Sequence, residues 1–304
     1  MAWTFRASWG QSKIEFYSDP NQLAAFADLG WLPQNRAMAG SVTELAQHST
    51  DPNGVTFEQP LTERMRTFLR IEFLHAQTRY HAENLRGFGA RAAVASLLEL
   101  MTILGRGDVR ADVLKELERH AAVLTNYSRQ PGIDHARLES LLGDVAGLKA
   151  AIAGSGPQFM NSLKECEFLN TIKHRSSIPG GTGVFDLPDY AYWLRLPHDE
   201  RVAEFAQWIN VLEPICEAVA ELLWLTREAT EPVEHVAPEG LYQHHMDRQT
   251  QANLVRVIIP RSTGYYPEIS AGRHRVTVRF VQWQGVNLRP AQLDRDVEFL
   301  LALG

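Results

Sequence analysis

The sequence predicts an α+β protein that combines an antiparallel helical bundle with antiparallel β-strands. From residue 61 to about residue 230, apolar residues recur every three or four positions, which is typical of amphipathic helices. Beyond residue 230 the apolar period falls to two and β-branched residues become frequent, which indicates strands. A run of helices followed by a run of strands favours the α+β class.

The N-terminal stretch, residues 1–52, differs from the rest of the chain. Asp19 and Pro20 could begin one short helix that stops at Gly30, because these residue types suit a cap, a first turn and a stop. The residues around it include many Gly, Pro, Ser, Thr and Asn. We expect this extension to be poorly ordered, or the true start to lie downstream, for instance at Met38.

Four long helices are expected between residue 61 and residue 152. The apolar stripe that should face the core of the first helix comprises Met65, Leu69, Phe73, Ala76 and Tyr80. The second helix should span about 88–104, Asp108 should cap the third, and the turn at 130–134 should lead into the fourth. Short turns between long helices favour antiparallel packing.

The remaining elements complete two expected domains. A short helical segment at 164–175 precedes the glycine cluster 179–183, a strand is expected at 190–194, and Asp199 or His198 should cap a last long helix. Further strands are expected at 55–58, 254–259, 275–281 and 297–301. The helical domain then comprises 61–175 with 198–230. The β-strand domain comprises 53–60 with 176–197 and 231–304.

Composition restricts the location and the partners. Thirty Lys and Arg against 36 Asp and Glu give a formal net charge of -6, which argues against a general nucleic-acid binder. Cys166 and Cys216 are too few and too far apart for a disulfide framework, which favours a reducing cytoplasm. The sequence has no uninterrupted apolar run of about 18 residues and no secretory signal at its N-terminus. We expect a cytoplasmic protein without a membrane partner.

No motif for catalysis or for a cofactor is recognisable. The glycine cluster lacks the Lys and the following helix of a phosphate-binding loop, so we interpret it as a structural turn. His235, His244 and His245 do not have the spacing of a zinc site. No G-x-S-x-G stretch is present, although Ser, His and Asp side chains distant in sequence could still converge. We expect no enzyme activity, no metal and no cofactor.

The positions of several arginines are the feature of the sequence that indicates a function. Arg64, Arg66 and Arg70 lie at the start of a predicted helix, where the helix dipole disfavours cations unless an anion faces them. Arg66 and Arg70 share one helix face. Arg275 and Arg279 share one face of a strand, about 13 Å apart. Each could be an ordinary surface residue or a partner of Glu63 or Glu72; together they suggest an acidic partner.

Two continuous stretches are distinctive: one runs from Phe57 to Phe73 and includes Met-Arg-Thr-Phe-Leu-Arg, and the other, at 177–188, reads Ser-Ile-Pro-Gly-Gly-Thr-Gly-Val-Phe-Asp-Leu-Pro. Both resemble the ZapD family of bacterial cell-division proteins, which bind the tubulin-like protein FtsZ. The resemblance continues through residues 240–243, 266–270 and 275–280. It covers about residues 54 to 304.

The resemblance implies a function and a set of site residues. Proteins of this family are dimers that bind an acidic and apolar C-terminal peptide of FtsZ in a basic pocket and cross-link FtsZ filaments at the mid-cell septum. The arginines that match the family pocket are Arg66, Arg70, Arg106, Arg275 and Arg279. Where the family has a pocket arginine and a histidine, this chain has Glu167 and Ala191. Lys173 and Arg175 offer replacement charge, and we include Arg175 in the expected site.

The main rival interpretation is a nucleic-acid-binding helical protein that uses the same arginines. The negative net charge and the lack of a helix-turn-helix or RNA-binding signature count against it. A third interpretation, a small-molecule enzyme, would need a deep pocket with convergent carboxylates or a Ser/Cys–His pair.

Overall fold

The computed structural model describes residues 54–128, 134–156, 158–246, 252–261, 263–272 and 274–304. This part of the chain contains eight α-helices and eight β-strands, and the predicted α+β class is confirmed. The predicted extension 1–52 lies outside the described residues. The division into a helical domain and a β-strand domain stays a prediction.

The helices follow strand β1 and precede the other strands. The helices are α1 (Glu63–Ala82), α2 (Gly87–Leu104), α3 (Val109–Tyr127), α4 (His135–Gly154), α5 (Asn161–Lys164), α6 (Glu167–Ser176), α7 (Pro188–Trp193) and α8 (His198–Glu228). The strands are β1 (Gly54–Pro60), β2 (Val233–Ala237), β3 (Leu241–His245), β4 (Leu254–Pro260), β5 (Tyr265–Ala271), β6 (Arg275–Gln282), β7 (Ala291–Gln292) and β8 (Val297–Leu303).

Local chemistry explains some of the helix starts. Thr62 caps α1, because its hydroxyl accepts a hydrogen bond from a backbone amide of the first turn at 3.1 Å. Asp108 occupies the cap position of α3 as expected, but its side chain makes no capping hydrogen bond. The prediction that His198 or Asp199 caps α8 is wrong. Pro197 holds the cap position, and Asp199 lies in the first turn, where the helix dipole favours its charge.

Helix α1 buries a different face from the predicted one. Of the predicted stripe only Met65 is buried, whereas Phe73 and Tyr80 are exposed. The buried residues of α1 are Met65, Phe68, Ile71, Leu74, His75, Thr78 and Ala82. This face packs against α2 and α8. The predicted stripe was wrong because α1 carries apolar residues on two faces, and packing against other helices decides which face is buried.

The strand expected at 190–194 is a helix. Pro188 occupies the first position of α7, where its fixed φ suits a helix. Tyr190 and Trp193 are three residues apart and both are buried, which a helical turn allows. The ring centroid of Trp193 lies 5.6 Å from that of Trp208 on α8. Aromatic residues favour strands on average, but packing against the bundle overrides that preference here.

Helix α2 is the apolar centre of the bundle. By length and composition alone it could cross a membrane, but half of it is buried within the protein. Its buried residues include Ala93, Val94, Leu97 and Leu100. A core helix of a globular bundle has the same composition, and α2 packs closely against α1.

The strands form two antiparallel sheets. The first sheet has the order β1-β4-β8-β2, and the second has the order β3-β6-β5, with β7 paired to β6. One face of the first sheet packs against the inner face of the second. The buried residues of this core are Ala237, Met246, Val255, Val257, Ile259, Val276, Val278, Phe280, Leu293, Val297, Phe299 and Leu301.

The opposite face of the first sheet contacts the helices. Arg227, near the end of α8, is 5% exposed and pairs with Glu58 on β1 and Glu72 on α1, at 2.8 and 2.6 Å. Arg256 of β4 donates hydrogen bonds to the backbone carbonyls of Arg227 and Thr230. Burial disfavours the charge of Arg227, but the hydrogen bonds to both carboxylates outweigh burial and raise its pKa.

Candidate functional site

Helix α1 carries three arginines in its first two turns, and each is in a different situation. Arg64 reaches α3 and pairs with the buried carboxylate of Glu116 at 2.8 Å, so it stabilises the bundle. Arg66 pairs with Glu63 one turn earlier, at 3.4 Å and in contact with solvent. Arg70 is exposed and has no ion pair or side-chain hydrogen bond within the described part of the chain. Arg70 is therefore the guanidinium of this helix most open to a ligand.

Strand β6 presents the second pair of predicted arginines. Arg275 and Arg279 are exposed and alternate with the buried Val276, Val278 and Phe280, so they lie on the outer face of the second sheet. The predicted sharing of one face by this pair agrees with the observed strand.

Cross-strand neighbours distinguish the two arginines of β6. Arg279 lies opposite Glu268 of β5, and its Nε donates to that carboxylate at 3.1 Å. Arg275 lies opposite His245 of β3 and, in the described residues, has neither an ion pair nor a side-chain hydrogen bond. On this face too, one guanidinium is engaged and one is open.

The other two predicted arginines lie on separate elements. Arg106 is exposed in the turn between α2 and α3. Arg175 is exposed in the last turn of α6, where the helix dipole favours a cation, and its guanidinium lies 3.8 Å from the carboxylate of Asp186. Among the described residues, no side-chain hydrogen bond or ion pair network joins Arg106 or Arg175 to the arginines of α1 or β6. Whether the six arginines form one site stays a prediction.

The two departures from the family pattern lie in different environments. Glu167 is exposed in the first turn of α6, where its charge suits the helix dipole. Ala191 is buried in α7, so this position presents no side chain to a ligand at the surface.

Close packing and backbone conformation explain why glycine occupies positions 180 and 181. A Cβ on Gly181 would lie 2.4 Å from the carbonyl oxygen of Arg175, and Gly180 has a φ of +73°. Arg91 of α2 fixes the loop, because its Nη1 donates to the carbonyl of Thr182 at 2.8 Å. Its guanidinium also lies 4.9 Å from the ring centroid of Tyr190. The cluster forms one wall of a groove of about 910 Å³ against α2 and α6.

His235 and His244 form a polar aromatic cluster with Tyr242. The hydroxyl of Tyr242 lies 3.1 Å from Nδ1 of His235 and 3.5 Å from Nδ1 of His244. Partial burial, followed by the charge of His244, lowers the pKa of His235. Among the described residues, no group of three or more His, Cys, Asp or Glu side chains is placed to hold a metal ion.

One surface feature was not predictable from the helical period, namely the outward-facing apolar stripe of α1. Phe73 and Tyr80 are 65% and 57% exposed, although the helical period had assigned them to the core. The signal that could have revealed this was the second apolar set Phe68, Ile71 and Leu74 on the same helix, which competes for burial.

Comparisons with known proteins agree with the resemblance. A family model described as ZapD, cell division protein, matches residues 69–279. The cell division protein ZapD of Methylococcus capsulatus is 35% identical over 251 residues, which cover 83% of this chain and 98% of that protein. The cell division protein ZapD of Janthinobacterium sp. is 31% identical over 249 residues, which cover 82% of this chain and 98% of that protein.

Proposed function

The chain belongs to the ZapD family of cell division proteins, and from this premise we propose that it binds the C-terminal tail of FtsZ. By this binding it links FtsZ filaments in the cytoplasm, at the septum of the dividing cell. It acts as a linker and not as a catalyst, and it needs no cofactor.

One observation carries the proposal: two exposed guanidinium groups, those of Arg70 and Arg275, have no partner among the described residues. A guanidinium pairs with a carboxylate through two parallel hydrogen bonds, so an acidic peptide suits such groups. Arg66 and Arg279 pair only with exposed carboxylates. Exposed ion pairs contribute about 0–1 kcal/mol each, so an incoming carboxylate can replace these partners at little cost.

Packing around the sheets supports one site for both pairs. Strand β1 ends at Pro60 opposite Leu254, and the amide of Leu61 donates to the carbonyl of Asn253 at 2.8 Å, so α1 starts beside the beginning of β4. Leu61 also packs against the core between the two sheets, as does Ala271 at the end of β5. This shared core supports the proposal that the start of α1 and the start of β6 lie close together.

Linking filaments requires two sites held apart. A homodimer in which each copy carries one site supplies them, because closed two-fold symmetry duplicates every surface. Each contact can then be weak, since a polymer of FtsZ offers many tails and the second binding event becomes intramolecular. We propose this arrangement for the chain.

The test is charge reversal at the two open arginines. Arg70→Glu and Arg275→Glu should each abolish filament bundling in a sedimentation assay and weaken tail-peptide binding by about 2–5 kcal/mol. Arg289→Glu is the matched control, because Arg289 is exposed in the loop after β6 and outside the proposed site. Melting temperature and molar mass in solution should be unchanged in all three variants.

Two outcomes would refute the assignment. If Arg70→Glu and Arg275→Glu proteins bundle filaments like the parent, the tail binds another face. If the parent binds bare DNA as tightly as FtsZ, with the same salt dependence, the arginines serve a nucleic acid instead. Removal of the FtsZ tail should abolish binding to the parent.

A further inference from the structure

Two neighbouring loops at one end of the second sheet expose apolar side chains. The loop between β6 and β7 exposes Trp283, Val286 and Leu288 to 56%, 87% and 62% of their full surface. The loop between β4 and β5 lies beside it, because the amide of Trp283 donates to the carbonyl of Gly264 at 3.1 Å. Apolar side chains grouped on a protein surface commonly mark an interaction site.

The longer of the two loops projects from the sheet. Gln282 and Ala291 face each other across β6 and β7, so the loop 283–290 between them can reach at most about 13 Å beyond the paired strands. Val286 lies in its middle and is the most exposed of its apolar residues. We call residues 283–290 the β6–β7 tip. Its apolar side chains stand out from the surface, so a partner must enclose them, which a fluid lipid layer does without a preformed cavity.

The charge around the β6–β7 tip is positive. Residues 260–266 and 282–292 contain two arginines, Arg261 and Arg289, and no Asp or Glu, although the whole chain has a net charge of -6. Both arginines are exposed, and neither has an ion pair or a side-chain hydrogen bond with another described residue. An anionic lipid surface attracts such arginines.

Aromatic side chains lie behind the β6–β7 tip. Tyr265, Tyr266 and Trp283 line one cleft of about 250 Å³, together with Arg261. Tyrosine and tryptophan are the residues that favour the headgroup level of a membrane, because each ring is apolar over most of its surface and polar at one end. Apolar residues at the tip, aromatic rings behind them and arginines beside them match the layers of a bilayer surface in order.

We propose that the β6–β7 tip inserts into the surface of an anionic lipid bilayer. Val286 and Leu288 enter the boundary of the acyl chains, Trp283 stays at the headgroups, and Arg261 and Arg289 pair with lipid phosphates. The sequence favoured a protein without a membrane partner because it has no long apolar run, but an inserted loop needs none.

The charge pattern favours lipid over a second copy of the chain. In a symmetric contact between two tips, the arginines of both copies would approach each other, and the residues around the tip supply no carboxylate to neutralise them. Lipid phosphates neutralise both guanidinium groups. The inference is also independent of the proposed FtsZ site, because Arg275 lies seven residues before Gln282 on β6, about 23 Å along the strand.

The test is sedimentation of the full chain with vesicles of phosphatidylcholine alone or of an equal mixture with phosphatidylglycerol. One double variant, Val286→Gln with Leu288→Gln, removes the apolar tip; another, Arg261→Gln with Arg289→Gln, removes the charge. Phe88→Gln is the apolar control, because Phe88 at the start of α2 is also 87% exposed.

The expected result is binding to the anionic vesicles that depends on both parts of the site. The apolar double variant should bind them at least about tenfold more weakly, since each side chain leaves water on insertion. Each arginine should contribute about fivefold at low salt, so the second double variant should lose most of the preference for anionic vesicles. Phe88→Gln should bind like the parent.

A fluorescent label tests insertion directly. An environment-sensitive dye on Val286→Cys, in a chain that also carries Cys166→Ser, should shift its emission to shorter wavelength when anionic vesicles are added. Cys216 is 1% exposed and should stay unlabelled. The same dye on Ser140→Cys, at an exposed position of α4, should not shift.

Four outcomes would overturn the inference. They are a parent that stays in the supernatant with both kinds of vesicle, an apolar double variant that sediments like the parent, a Phe88→Gln protein that loses binding as strongly as that variant, and a dye at position 286 that does not shift. A lower molar mass of either double variant in light scattering would make the tip a contact between copies and overturn it too. Both double variants should bind the FtsZ tail like the parent in the absence of lipid, so failure of this inference leaves the proposed function standing.

Discussion

Replacing Arg227 by Met should destabilise the protein strongly, because Arg227 connects three elements at the boundary between helices and sheet. Its Nε and Nη2 donate to both oxygens of Glu58 at 2.8 Å, and its Nη1 and Nη2 donate to both oxygens of Glu72 at 2.6 and 2.8 Å. Methionine fills a similar volume but pairs with neither carboxylate. The change therefore leaves two acidic groups on β1 and α1 without their cation.

The magnitude follows from the burial of those carboxylates. Removing one partner of a buried ion pair costs about 3–5 kcal/mol. The side chains of Glu58 and Glu72 are 17% and 13% exposed, so water can solvate them in part. We expect a loss near the lower limit, about 3 kcal/mol, in the free energy of unfolding. At about 2.1 cal/mol/K of unfolding entropy per residue, a chain of 304 residues should lose about 5 °C of melting temperature.

Urea denaturation and calorimetry measure this loss, and two further variants test its cause. Adding Glu58→Gln and Glu72→Gln to Arg227→Met should recover part of the stability, since neutral amides are less costly to bury than unpaired carboxylates. Arg195→Met, at an exposed position, should change stability by less than about 0.5 kcal/mol. An Arg227→Met protein as stable as the parent, or a triple variant no more stable than Arg227→Met, would refute the reasoning.

Three further outcomes are expected. Gly181→Ala should lower the free energy of unfolding by about 1–3 kcal/mol because its Cβ would meet the carbonyl of Arg175, and Gly180→Ala should lower it by about 1 kcal/mol because of its positive φ. Urea titrations measure both losses. The loop is a contact site and not a structural turn if either variant is fully stable yet loses FtsZ binding. Burial and then the charge of Arg119 lower the pKa of His120 from 6.5 to about 4, so the unfolded chain binds this proton first as pH falls. Stability should therefore decrease from pH 6.5 to 4, by at most about 3 kcal/mol from this group, and His120→Gln should flatten that slope in denaturation at several pH values. A chain starting at Asn53 should melt within a few degrees of the full chain and bind the FtsZ tail equally well; a larger loss would give residues 1–52 a role in the fold.

Several features were predictable because they depend on neighbours in sequence. The helical period located α1 to α4 and α8, and the period of two located β4, β6 and β8. The alternation along β6 also placed Arg275 and Arg279 on one face, since successive side chains of a strand point to opposite sides. Family membership was predictable for the same reason, because the motifs are short and continuous.

The candidate site could be predicted only as a set of residues. Local spacing placed Arg66 and Arg70 on one side of a helix, but it could not reveal that Arg64 pairs with Glu116 on α3. Nor could it separate Arg275, which is open, from Arg279, which faces Glu268 on β5. These partners are distant in sequence, so their contacts depend on how helices and strands pack.

The sequence by itself determined the α+β class, the main helices and strands, and the family. The tertiary structure decided which face of α1 is buried, that residues 188–193 form a helix, and that Arg227 meets Glu58 and Glu72. The physical reason is that periodicity records which residues could be buried, whereas burial requires a partner surface. Helix α1 has two apolar faces; α2 and α8 cover one, and Phe73 and Tyr80 remain on the other.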